Sequence, residues 1–147
     1  MTSVEDVLNN VNIDLILAPI LKSADVNSSS VDLRGYAGCT FVAAVGAAGD
    51  TFGVSVYTEL EVEESADNTN WTDVANADLS AYVTGTNTGT FAKIDANGKC
   101  GTYYAVAYRG TKRYARVVVN VTGTHTNGTS YAILCIKSGA SVLPCGD

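Results

Sequence analysis

The chain is expected to be all-β, a single jelly-roll-like β-sandwich with an extended N-terminal arm, and three features lead to that expectation. From Val31 onward the apolar period is two; the apolar stretches are short and rich in β-branched and aromatic residues; and glycine-rich turns separate them. Hydrophobic residues make up 46% of the 147 residues and charged residues 16%, a globular composition long enough to bury one core. Two prolines against 14 glycines suit many tight turns between short strands.

Taken in order, the first element is the arm, residues 1–30. Val4, Val7, Leu8 and Val11 have helical spacing, Ile13, Leu15 and Leu17 then alternate as a strand does, and a polar Asp25–Ser30 link follows. Such an apolar arm on a compact domain is expected to order against another surface. The domain proper is expected over 31–147. Its strand candidates are 40–46, 54–62, 103–108, 114–121 and 131–136, with a weak helical period only near Val74–Leu79. Within 54–62, Val54, Val56, Leu60 and Val62 take one face, while Tyr57, Glu59, Glu61 and the following Glu63 take the other. The turns between candidates lie at 46–50, 84–89, 95–98 and 122–128.

Charge narrows the partners. A net charge of −6 and a pI near 4.6 argue against nucleic acid, whose backbone needs a basic face, and against an anionic membrane. The start of the chain has neither the basic region nor the apolar run of a secretory signal, so synthesis is expected in a cytoplasm. Its most apolar early stretch, Ile13–Leu21, is too short to span a bilayer.

Little in the sequence points to chemistry, and no cofactor motif is present. The one histidine, His125, sits in a Gly/Thr/Asn loop and reads as a solvated loop residue rather than a general base. Glu59, Glu61, Glu63 and Glu64 could supply the carboxylate pair of a glycosidase, but such a stripe reads first as the wet face of a surface strand. Asp67–Asn70 offers oxygen ligands without the spacing of a calcium loop. The one basic cluster, Arg109, Lys112, Arg113 and Arg116, is expected to neutralise the acidic stripe, within the sheet or across a subunit boundary. Cys39, Cys100, Cys135 and Cys145 lack metal-ligand spacing. They read either as small buried apolar side chains or as disulfide partners after release from the cell, with Cys145 pairing to Cys100, to Cys135 or to a neighbouring subunit. Tyr36, Trp71 and Tyr114 are expected to pack in the core or brace turns.

Four stretches, taken together, resemble one protein class. Val31–Gly46 resembles the opening strand of small accessory proteins of tailed-phage heads. Glu63–Val74 resembles their strand-and-turn element E-S-x-D-x-x-x-W/F-T-x-V, Tyr108–Val117 their strand entry G-T-K-R-Y-x-R-V, and Ile133–Pro144 their last strand. The resemblance covers residues 31–144, and the cysteines depart from its pattern. It implies a virion structural protein, a capsid decoration or cement protein (or head-fibre base) on the outside of the capsid, and no enzyme. Its partners would be the major capsid protein and further copies of itself, as a dimer or trimer. Interface contacts are then expected from Ile13, Leu15 and Leu17 of the arm and from the charged residues at 59–63 and 109–116. A tail or neck position in the virion, and a carbohydrate-binding module using Trp71 and the tyrosines, are the alternatives.

Overall fold

The fold was established from a computed structural model, which describes residues 7–84 and 86–142. One turn of helix, α1 (Val7–Asn10), leads into β1 (Val11–Lys22), followed by β2 (Val26–Asn27), β3 (Val31–Asp32), β4 (Gly38–Val45), β5 (Tyr57–Ser65), β6 (Thr72–Asp73), β7 (Thr90–Ile94), β8 (Thr102–Tyr108), β9 (Tyr114–Thr122) and β10 (Thr129–Ser138). They form two antiparallel sheets. Sheet A has the order β1-β10-β4-β8; sheet B is built on β2-β9-β5-β6, with β3 also on β9 and β7 on β5. The sheets pack face to face as the expected sandwich.

Alternation decides what lies between them. Phe41, Ala43 and Val45 of β4, Val106 and Tyr108 of β8, and Tyr131, Ile133 and Cys135 of β10 point inward from sheet A. They meet Leu60 and Val62 of β5, Val117 and Val119 of β9, and Ile94 of β7. Two tyrosines tie the layers together through their hydroxyls, which must find acceptors once buried. Tyr131 donates to Thr58 Oγ1 at 2.9 Å, and Tyr108 donates to Glu64 Oε2 at 2.5 Å. Glu64 is thus an inward residue, not a member of the outer acidic row.

The segment expected as an arm outside the core is stitched into both sheets. β1 runs along β10 from Val11↔Ser138 to Lys22↔Thr129, with register shifts between Leu15 and Leu17 and between Leu17 and Ile20. The irregularity turns Ile16 into the core, where it is 5% exposed. Pro19, which has no N–H to give a ladder, falls in the second shift of this edge strand. The polar link that followed is no spacer either. Asp25 Oδ1 accepts from the Val121 amide at 2.7 Å, Ser28 Oγ accepts from the Val117 amide at 3.0 Å, and Ser29 N–H donates to Ile16 O at 2.8 Å. Short polar side chains here stand in for ladder partners, which is why composition alone suggested a linker.

Other expectations moved for local reasons. Val54 is 95% exposed, because the strand begins only at Tyr57 after a turn. The weak helical period shrinks to a single 3₁₀ turn, Asn76–Asp78. His125 is buried, not solvated: its ring meets Phe52 edge-on at 5.4 Å, and Nε2 lies 3.1 Å from Thr122 O. Asp50 closes the same corner by accepting from the Thr126, Asn127 and Gly128 amides at 2.8–2.9 Å.

Candidate functional site

The two outer faces of the sandwich have opposite chemistry, and that contrast locates the candidate site. On sheet B the outward positions are Tyr57, Glu59, Glu61 and Glu63 of β5, Lys93 of β7, Asp73 of β6, and Arg116, Val118 and Asn120 of β9. On sheet A they are Ile13 and Leu15 of β1, Ala132, Leu134 and Ile136 of β10, Thr40, Val42 and Ala44 of β4, and Tyr103, Ala105 and Ala107 of β8. These eleven positions carry no charge. Leu15 opposes Leu134, and Leu134 opposes Val42; Val42 in turn opposes Ala105, so one apolar row crosses all four strands.

Nothing among the described residues covers this face. Leu15 is 58% exposed, Tyr103 66%, Ile13 48% and Leu134 37%. Four strands about 4.8 Å apart, with the 8 residues of β4 rising about 3.3 Å each, give a projected area of about 500 Å². Contiguous apolar patches of several hundred Å² are often places where another surface docks. Of the arm residues expected at an interface, Ile13 and Leu15 belong to the patch, whereas Leu17 is half-buried against the core.

Sequence reasoning missed the face but had a signal for it. Strand β5 alternates apolar residues with glutamates, as a half-solvated strand should. Thr40–Val45, Tyr103–Ala107 and Tyr131–Ile136 carry apolar residues on both of their faces, the pattern of strands covered on two sides.

The acidic stripe of sheet B is not the wet face it was expected to be. Glu59 is 7% exposed and Glu61 4%. Arg116 lies over the Trp71 ring at 4.3 Å and pairs with Glu63 at 2.6 Å. Lys93 lies over the Tyr57 ring at 3.9 Å and 4.0 Å from Glu59. Between these two cation–aromatic stacks, Glu61 accepts from Asn120 Nδ2 and shares a hydrogen bond with the Asp73 carboxyl. Burial, and then Asp73 beside it, raise the Glu61 pKa to about 8, so Glu61 keeps its proton at neutral pH. Carboxyls in hydrogen-bond contact leave no room for the sugar and water that glycoside hydrolysis places between them.

The basic cluster also divides. Arg116 does neutralise Glu63, but Arg113 pairs instead with Asp32 through contacts of 2.7 and 3.0 Å. The Arg113 guanidinium holds the Asp32 carboxyl down to about 2. Arg109 and Lys112 make no ion pair among the described residues, and both line a cleft at one end of the sandwich. Tyr36 and Tyr114 are half-buried beneath Lys137 and Arg113. Like Trp71, they carry cations outside the core instead of filling it.

Cys39, Cys100 and Cys135 are free thiols, so none of the expected disulfides joins them; Cys145 lies outside the described residues. Cys39 and Cys135 are diagonal neighbours on β4 and β10, two residues out of register. The Cys39 thiol beside it, together with burial, pushes the Cys135 thiol far up. Both behave as small core side chains. In the Asp67 turn, the carboxylate accepts from the Thr69 and Asn70 amides at 2.9 and 2.8 Å, and Asn68 takes a φ of 61°. That carboxylate braces its own loop.

No helix among the described residues is long and apolar enough to cross a membrane. No protein-family model matches the chain, and no curated protein matches it as a relative.

Proposed function

We propose that this protein is a structural docking module of a phage particle, a decoration or cement protein held on the outside of the major capsid lattice by the outer face of sheet A. The observation that carries the reading is the uncharged four-strand face, set opposite a sheet whose outer face carries charged residues, among them the Arg116–Glu63 and Lys93–Glu59 pairs. Such a division suits a protein that presents one side to a partner and the other to water. Reinforcing a lattice needs no reaction. A patch of about 500 Å² is below the roughly 800 Å² per partner of a standard stable interface, and repetition over many lattice sites compensates for modest contact per copy. The phage assignment itself draws on the resemblance of residues 31–144.

The test is cosedimentation with assembled capsids, using Leu134→Lys at the centre of the face and the wild type. Leu134 is on the solvent side of β10, so the variant should keep its β circular-dichroism spectrum and lose capsid binding by at least about tenfold, the loss expected when a charge enters an apolar contact. Undiminished binding by a folded Leu134→Lys variant removes sheet A as the docking face. Sedimentation of the protein alone should show no association that Leu134→Lys abolishes. If it does, the face is occupied by a second copy and the capsid assignment fails.

A further inference from the structure

A second site lies away from the apolar face, at the end of the sandwich where the β3–β4 loop meets the β8–β9 turn. There the described residues line a cleft of about 680 Å³. Its floor is Leu33, Tyr36 and Ala37, and its rim carries Arg34, Arg109 and Lys112, with Arg113 beside them. Four of the nine Lys and Arg residues of an acidic chain are therefore gathered on one opening.

Three of those four, the exposed Arg34, Arg109 and Lys112, form no salt bridge among the described residues, although the Asp32 carboxylate also feels the Arg34 charge. Arg113 is held by Asp32. The walls are fixed. Asp32 Oδ1 accepts from the Arg34 amide at 3.0 Å as well as from Arg113. The Lys112 amide donates to Tyr108 Oη at 3.2 Å, and that hydroxyl is anchored on Glu64. Gly110 lies so close to the Tyr108 ring that an added Cβ would come within 2.4 Å of Tyr108 Oη, so the turn is laid directly over the core tyrosine. Gly35, with a φ of 86°, reverses the opposite wall. Like charges held together on a fixed rim favour an anionic guest.

We propose that this cleft binds a short acidic peptide segment, its carboxylates on Arg34, Arg109 and Lys112 and its apolar side chains against Leu33, Tyr36 and Ala37. The volume is that of a site for a small ligand or a few residues of chain. A nucleic-acid strand fits the surroundings poorly. Lys112 also borders a smaller cleft lined by Glu64 and Asp67, so the positive field stops within a residue or two, and the chain as a whole is at −6. Arginine and lysine donors on a partly apolar floor match carboxylates borne on a peptide, where each charge-assisted contact is strong.

Fluorescence anisotropy with a labelled short peptide alternating glutamate and leucine tests this directly. Saturable binding that weakens with salt is expected, along with about tenfold loss on replacing glutamate by glutamine in the probe. Arg109→Ala with Lys112→Ala, both exposed, should weaken binding by a further factor of about ten or more without changing the circular-dichroism spectrum. The single variant Arg34→Glu gives an independent reading from the opposite wall and should act in the same direction. Equal affinity for the glutamine probe, unchanged binding by the folded variants, or displacement of the peptide by a lower concentration of oligothymidylate or inorganic phosphate would each overturn the proposal. None of these outcomes depends on capsid docking by sheet A.

Discussion

Replacing Glu61 by glutamine should stabilise the protein at alkaline pH and flatten its pH dependence between about pH 5 and pH 8. Glu61 is 4% exposed, between Glu59 and Glu63 on its own strand, with Lys93, Asp73, Arg116 and Asn120 reaching the same row from β7, β6 and β9. Its carboxyl is raised from 4.5 to about 8, first by burial and then by Asp73. The native protein therefore keeps a proton there that the unfolded chain releases near pH 4.5. Where the folded state binds more protons, stability falls as pH rises, so this contribution is complete below about 4.5 and gone above about 8. At about 1.4 kcal/mol per pH unit, the difference between 4.5 and about 8 sets a ceiling of about 5 kcal/mol. An ionised Glu61 can draw in water, so the expected loss is about half that, 2–3 kcal/mol, equivalent to about 6–10 °C in Tm for a domain of this size. Glutamine keeps an acceptor for Asn120 and a donor for Asp73 without the titration. Thermal melts of wild type and Glu61→Gln should thus coincide near pH 4.5 and diverge in favour of the variant by pH 9. Parallel pH profiles, or a variant less stable than wild type at pH 9, would refute the reasoning.

Trp71→Ala should leave the sandwich folded. The ring is half-buried and stacks on Arg116 outside the core, so its removal should cost about 1–2 kcal/mol, against about 3–5 kcal/mol for Phe41→Ala, whose side chain is fully buried; chemical denaturation of the two variants measures the difference. Thiol titration of a Cys145→Ser variant should label Cys100 slowly, since burial raises its thiol, and should label Cys39 and Cys135 only after denaturant is added. Fast labelling of either core cysteine in the native protein would contradict their packing between the sheets.

Much of the sandwich could be read from residue order, because a strand's period is local: the backbone sends alternate side chains to opposite sides whatever the rest of the chain does. Hence Phe41, Ala43 and Val45 were assignable to one side of β4 before any contact was known, and Leu60 and Val62 to one side of β5. Strand β7 was harder, since Thr90–Ile94 is short and leads into a turn. Strands β2 and β3 have two residues each and exist only because β9 lies beside them.

What residue order could not decide is which surface a side chain meets. Glu59 and Glu61 have the pattern of solvated residues and are buried where Lys93, Asn120 and Asp73, from three other strands, meet them. Val42, Leu134 and Ala105 have the pattern of buried residues and are left facing outward because no second layer of the described chain reaches them. Arg34 and Arg109 are 75 positions apart in the chain and become one rim only when two loops meet at the end of the sandwich. Periodicity, a property of neighbouring peptide units, determined the sheets. Burial and charge pairing arise from contacts between distant segments, so the tertiary structure alone decided which face docks and which cations stand unpaired.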